Sequence, residues 1–411
     1  MELASSVFVF SNSEQSIALE TSNPAAENSK SDHDNPADLN QEKTQAVAFL
    51  FEKSTVDSDD SSLLRQAEEL VARERFLAAS KLLKKVSDTS LYRDKHHVYL
   101  KVAQECDAVL QDLLSSPERS GWKKQGETHG RRDSLIYYKV DPGTCKLHCR
   151  IETPIESSLL NPLLAVFNES DLYATWMPSW KTPRLGIRRS VMLKELGRGN
   201  QVVQVTVDMP FPLKNRECVL HAFAVDDIDG DSEGIVVKIK SLDKGGKAKP
   251  ENDGTLSEPV DIPPVEKGVT RIDMDAGILI RSCPPDHPCY AKTRAYFPDE
   301  PLLLVSVTQS VDAHVTAVPV KIVNFFTRTV IGTMWSSLLQ VAEDVKEGKR
   351  PQHSQKIQEK RDLYEWVQQR AQVMLSKLDD ESAMSRTTSM TTASESNHWS
   401  DKELEKTTKE S

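Results

Sequence analysis

Val318–Val345 reads VPVKIVNFFTRTVIGTMWSSLLQVAEDV and carries the marks of one long amphipathic helix. Pro319 stands where a first helical turn tolerates proline, because the N–H it lacks would find no intrahelical acceptor there. Val323, Phe326, Val330, Met334, Leu338 and Val341 then recur at three- and four-residue steps, which puts them on one face. Gly332, Thr333, Ser336 and Ser337 keep part of the remaining surface small, so the helix can lie close to a sheet. Periodicity alone describes a packing helix. Its place at the end of a long strand-rich region gives it a larger role.

Upstream of that helix the period is two. Strands are expected at Leu135–Val140, Lys146–Glu152, Arg184–Leu196, Gln201–Met209, Arg216–Val225, Ile235–Ile239, Thr270–Ile280, Tyr290–Phe297 and Leu302–Val311. Val203, Val205, Val207 and Met209 alternate with Gln204, Thr206 and Asp208. Ile235, Val237 and Ile239 alternate with Lys238 and Lys240, and Ile272, Met274, Ala276, Ile278 and Ile280 with Arg271, Asp273, Asp275 and Arg281. That is the pattern of a sheet with one apolar and one solvated face. Tight turns such as Gly197-Arg198-Gly199-Asn200 favour antiparallel pairing. Residues 155–175 read as two short helices, and 242–266 as a Lys/Gly/Pro-rich loop. Before the strands, Leu91–Leu114 reads as a helix. The segment AEELVARERFLAASKLLKKV reads as a helical hairpin of the tetratricopeptide kind, without a second copy. The order defines an α+β chain: a curved antiparallel sheet with a long C-terminal helix, preceded by a small helical hairpin.

The chain has 411 residues, 38% hydrophobic and 28% charged, with a net charge of -10. Residues 1–60 hold 12 acidic and 3 basic side chains, a balance of -9, which leaves about -1 for everything after them. A chain without basic excess does not suit a nucleic-acid binder, which must release counterions from phosphate. No run approaches the roughly 18 apolar residues of a membrane span, and no secretion signal is evident. Six cysteines in 411 residues do not make a disulfide framework, so a reduced, cytoplasmic setting with optional membrane association is expected.

From about Leu91 to Val345 the chain resembles a START domain, the steroidogenic-acute-regulatory-related lipid-transfer module. Trp122 follows a helix and precedes the first strand. Asn168-Glu169-Ser170-Asp171-Leu172-Tyr173 and Trp176 occupy the early helical insertion. Pro212-Leu213-Lys214-Asn215-Arg216-Glu217-Cys218-Val219 is similar to the family's proline, asparagine, arginine-aspartate signature, with Glu217 in place of the aspartate. Ser310-Val311-Asp312-Ala313 leads into Val318-Pro319 and Val323-Asn324 like the family's strand-to-helix junction. The resemblance implies a helix-grip fold, in which the sheet wraps the last helix around a tunnel for one lipid or sterol. It implies no covalent chemistry and no cofactor. The expected organisation is an acidic disordered segment (1–60), the hairpin (61–90), the START-like domain (91–347), a basic linker with an amphipathic helix (348–380) and a disordered Ser/Thr-rich tail (381–411).

In such a tunnel the apolar lining would include Met209, Met274, Val323, Phe326, Val330 and Met334. Polar residues in phase with the apolar ones are the candidates to orient a head group. Arg189 falls in phase with Leu185, Ile187, Val191 and Leu193. Glu217 and His221 fall in phase with Val219, Phe223 and Val225, and Gln309 with Leu303, Val305 and Val307. The competing expectations are an Arg189–Glu217 structural pair, or a strand phase that slips at a bulge. A cyclase-like enzyme with His221 and Glu217 as its acid–base pair is the catalytic alternative. A protein-interaction scaffold using the hairpin or the last helix is the other.

Metal sites are not expected. Cys145 and Cys149 on one strand lie ~13 Å apart, too far for one ion. Cys283-Pro-Pro-Asp286-His287-Pro-Cys289 lacks a fourth ligand, and Asp226–Glu233 lacks the twelfth-position glutamate of a calcium loop. Trp176 and Trp180 are candidates for a membrane-facing patch. So is Lys346–Arg361, with six Lys/Arg against two Glu.

Overall fold

The structure is a computed structural model and describes residues 59–377, apart from 129, 141–145, 182–183, 210–213, 243–253 and 313–329. Val323 and Phe326 therefore lie outside the described residues, as do most of the acidic N-terminal segment and the Ser/Thr-rich tail. The chain divides into two units, Met1–Ser62 and Leu63–Ser411. Of the first, residues 59–62 are described, and they are helical.

The second unit opens with α1 (63–72) and α2 (Phe76–Leu83), which pack on α3 (Arg93–Leu114). Glu74, at the break between α1 and α2, takes a positive φ of 60°, a left-handed turn that reverses the chain. After α3 come β1 (Lys123–Thr128), β2 (Ser134–Val140), β3 (Leu147–Glu156), α4 (Leu160–Asn168) and α5 (Tyr173–Trp176). Then follow β4 (Gly186–Gly197), β5 (Asn200–Asp208), β6 (Asn215–Asp227), β7 (Gly234–Ser241), β8 (Val269–Arg271), β9 (Asp273–Ser282), α6 (Tyr290–Tyr296) and β10 (Leu302–Asp312). The described part of the chain ends with α7 (Gly332–Lys346), α8 (Pro351–Glu359) and α9 (361–377).

The strands form one sheet in the order β1-β2-β3-β10-β9-β7-β6-β5-β4, antiparallel along this path, with β8 joined parallel to β6. This is the expected α+β arrangement, a long antiparallel sheet with the C-terminal helix α7 packed against it. Two elements differ from expectation. Tyr290–Tyr296, inside the expected strand Tyr290–Phe297, is instead the seven-residue helix α6, too short for its period to decide. β1, KKQGET, gave no strand signal because it is a polar edge strand with no apolar alternation.

Both faces of the sheet are covered. On the outer face α3 lies across β7, β9 and β10 and α2 against β6, and Leu77, Val102, Cys106 and Val109 form one core with Phe223, Val225, Val236 and Leu279. The approach is close at Gly277, where a Cβ would meet Val109 at 2.6 Å. Lys238 and Lys240, on the face expected to be solvated, are instead buried beneath α3 and paired with Glu105 at 3.6 and 3.1 Å. Arg150 holds the end of α3, donating to the carbonyls of Asp112 (2.9 Å), Leu113 (2.8 Å) and Ser115 (3.1 Å). α9 docks on its own domain: Tyr364 donates to Glu169 at 2.7 Å, and Arg370 reaches Asp229 at 2.7 Å.

Candidate functional site

Residues directly opposed across a ladder share a face, so the register lays out the inner face row by row. One row runs Gln309, Ala276, Ile239, Ala222 and Gln201 across β10, β9, β7, β6 and β5. The next runs Val307, Ile278, Val237 and Ala224. α7 covers the β3–β10 side of this face. There Trp335 Nε1 donates to Thr153 Oγ1 at 2.8 Å, and Thr153 donates to Ser134 at 2.7 Å. Leu338, Val341 and Val345 close onto Ile155, Leu303 and Val305 in one buried cluster. At the β5–β6 side the inner face is Val203, Val205, Cys218 and Leu220, flanked by Tyr173 and Ile187.

Between those two regions the face is less closed, although Val237, Ile239 and Val307 pack against the α7 cluster. Ala222, Ala224, Val237, Ile239, Val307 and Gln309 stay half-accessible although they sit mid-sheet. Their neighbours on the outer face of the same strands are closed off: Phe223 is 2% exposed, Val225 1%, Val236 0% and Leu279 1%. The small side chains of Ala222, Ala224 and Ala276 leave the inner floor low where the outer face carries Phe and Val. Small side chains on a face that is elsewhere filled leave room for a guest.

The expected site residues divide between the faces. Gln309 and Met274 lie on the inner face and meet, with Gln309 Nε2 3.3 Å from Met274 Sδ. Met209, Val330 and Met334 are half-buried. Arg189 is exposed and leaves the predicted phase, because the β4–β5 register shifts between Ile187 and Arg189. A bulge inserts one residue and turns every later side chain over. Glu217 is buried on the outer face. There it accepts from Arg271 at 2.6 and 3.0 Å and from Gln204 at 2.7 Å, so its ion-pair partner is Arg271 and not Arg189. His221 is fully buried on the same outer face, 2.8 Å from Asn200 Oδ1 and 3.2 Å from Thr255 Oγ1. The inward residues of β6 are Cys218, Leu220, Ala222 and Ala224. Both phases of β6 are apolar, because the strand is covered on both sides, and alternation could not separate them.

Several polar groups of the inner face are already engaged. Gln201 donates to the Asn168 carbonyl at 2.8 Å, and Tyr173 donates to the Phe167 carbonyl. Burial pushes the thiols of Cys149 and Cys218 up to about 12, far from a reactive thiolate. Arg216 enters the inner face at the start of β6. Burial lowers its pKa, and its recorded bond is to the Lys214 carbonyl at 2.9 Å. Among the described residues no group of His, Cys, Asp and Glu could hold a metal ion, and no helix is long and apolar enough to cross a membrane. Asp227 closes its own turn by accepting from Ser232 N (3.0 Å) and Oγ (2.6 Å). A surface cleft of about 340 Å³ beside Glu195, Arg198, Glu359 and Arg361 is open and charged, and offers no wall to an apolar ligand.

No protein-family model and no curated protein matches the chain. Solved structures do resemble it. Human STARD10 is 15% identical, with a TM-score of 0.41, over 60% of this chain and 82% of that one. Human StAR-related lipid transfer protein 5 is 13% identical, with a TM-score of 0.39, over 59% and 97%. A STAR-related lipid transfer protein fragment from Xanthomonas axonopodis is 17% identical, with a TM-score of 0.36, over 54% and 99%.

Proposed function

We propose that this protein binds one lipid or sterol molecule against the inner face of its sheet and carries or senses it inside the cell, without covalent chemistry. The observation that carries the reading is the half-accessible apolar strip from Ala222 to Val307, set in a sheet whose other face is filled. Burying a tail there is worth about 0.8 kcal/mol per CH₂. Gln309 supplies a polar anchor. Its amide meets a thioether, a weak acceptor, and so remains able to bond a ligand hydroxyl or carbonyl. Arg189, Glu217 and His221 drop out of the lining, because one is exposed and two lie on the other face.

The same geometry weakens the rival readings. His221 and Glu217 cannot serve as an acid–base pair for a guest on the inner face, since the sheet itself separates them from it. The hairpin and the last helix spend apolar faces within the domain, through Leu77 and through Ala371 and Met374, which leaves less for a protein partner. Membrane contact is expected to be transient, at loading and release. Vesicle-to-vesicle transfer tests the reading. Purified protein should accelerate exchange of a fluorescent sterol, fatty acid or phospholipid above the spontaneous rate. No acceleration for any of the three classes would sink it.

A further inference from the structure

Many cations of the fold are spent on acids. Lys346 pairs with Glu156, Lys360 with Glu169 and Lys238 with Asp275. Arg216 is not. Among the described residues it has no carboxylate partner, and its side chain donates to the Lys214 carbonyl at 2.9 Å.

The register places this arginine. Val207, Arg216 and Thr270 stand in one row across β5, β6 and β8. Glu217 and Arg271, the next pair along, meet each other on the outer face, so Arg216 and Thr270 belong to the inner one. Among the described residues of the strands inside the edges β1 and β4, Arg216 is the one cation in the inward phase. The one acid in that phase, Asp226, is already paired with Arg370. The half-accessible strip of the inner face runs on to Arg216. From Gln309 it passes through Met274 and Ile272 to Thr270 and Arg216, each of them partly accessible. Along β6, Arg216 stands roughly 20 Å from Ala222, on the scale of a long acyl chain. Beyond Ala222 and Ala224 that face becomes apolar, with Ile228 and Ile235 packed among Ala371 and Met374. Burial lowers the pKa of Arg216, but a guanidinium keeps its proton. A partly buried charge calls for a counter-charge, and the described chain supplies none.

From this we infer that Arg216 is the anion anchor of the proposed lipid site, and that the cargo is a lipid whose head carries a carboxylate or a phosphate. The guanidinium fork fits two oxygens of either group. The tail then runs past Ile272 and Met274 toward Ala222 and the apolar end. The inference rests on the cargo reading above and narrows it: a neutral lipid of the same length leaves Arg216 without a partner.

Displacement of a fluorescent long-chain alcohol from the full chain tests it, because that probe does not need Arg216. The competitors are a fatty acid, a long-chain alkyl phosphate, the alcohol of the same chain length and inorganic phosphate. The fatty acid or the alkyl phosphate should compete at concentrations roughly 10- to 100-fold below the alcohol, the worth of a charge-assisted bond. Inorganic phosphate should not compete, since it has no tail to bury. Arg216→Gln should bring the acidic lipids to the level of the alcohol and leave probe and alcohol binding unchanged, which also shows that the variant is folded. Arg216→Lys keeps the charge and should recover part of the preference. Equal competition by acids and alcohol in the parent, an acid preference that survives Arg216→Gln, or displacement by inorganic phosphate would overturn the inference while bound probe leaves the cargo reading standing. A parent that binds neither the probe nor any of the lipids would overturn both.

Discussion

Arg150 offers the sharpest quantitative prediction. Its side chain is 2% exposed, yet it makes five hydrogen bonds: three to carbonyls at the end of α3, and two to Glu152 Oε1 at 2.9 and 2.5 Å. Arg150→Met keeps the apolar stem and removes all five. The Glu152 carboxylate, 9% exposed, then keeps His287 at 3.5 Å but loses its permanent counter-charge. Breaking a buried ion pair from one side costs about 3–5 kcal/mol. The three carbonyls sit at a helix end where donors are scarce, and their loss belongs within that figure. Arg150→Lys restores a charge but not the forked geometry, so it should recover less than half of the loss. The pH dependence gives a second check. Burial alone would raise Glu152, but the bond from His287 and the charge of Arg150 outweigh it and hold the carboxyl below its ordinary 4.5. Without Arg150 its pKa rises, Glu152 takes up a proton in mild acid, and the gap between variant and parent narrows as pH falls. Equilibrium urea unfolding followed by tryptophan fluorescence measures all of this. A loss under about 1 kcal/mol, or full rescue by lysine, would refute the reasoning.

Two further predictions follow from the buried contacts. Trp335→Phe keeps most of the ring packing but strips the Thr153 hydroxyl of its donor. It should cost about 1 kcal/mol in the same unfolding assay. Stability should also fall in acid in two stages. His353 is 1% exposed, and burial first, then the Arg350 charge, lowers its pKa below 6.5. The unfolded chain therefore binds that proton more readily, and stability declines as pH drops below 6.5. Glu156 is fully buried, and burial would raise it, but the bonds and charge of Arg132 hold it below 4.5. Its contribution is present above pH 4.5 and is lost as pH falls through its folded value. His353→Gln should shrink the first stage, which the buried His96 shares because burial lowers its pKa too, and leave the second in a pH-resolved melting series.

The inner face was legible wherever a strand keeps one apolar phase. β5, β7 and β9 put inward the residues their alternation names, and β10 delivers Gln309 to the face its phase implies. β4 was misread beyond Ile187 because its register slips three times against β5, and no residue type marks those bulges. β6 departs from its alternation because its outer phase is buried, with α2 against it, so Val219 and Phe223 outweigh Ala222 and Ala224. Two small residues in step, Ala222 and Ala224, carry the signal for an accessible floor, and small side chains score weakly in any apolar count. The charge reading failed for a related reason: composition counts cations but not their partners, and Lys346–Arg361 is neutralised by acids brought in from Glu156 and Glu169.

Native mass spectrometry of the full chain beside the double variant Ala222→Phe/Ala224→Phe tests the proposed lipid site most directly. Two rings raised from the low floor should occupy the space meant for a guest. The parent, exposed to mixed sterols, fatty acids and phospholipids, should retain one molecule, and the folded variant should retain none. A parent that emerges empty from every mixture, or a folded variant that holds the same molecule equally well, would contradict the account.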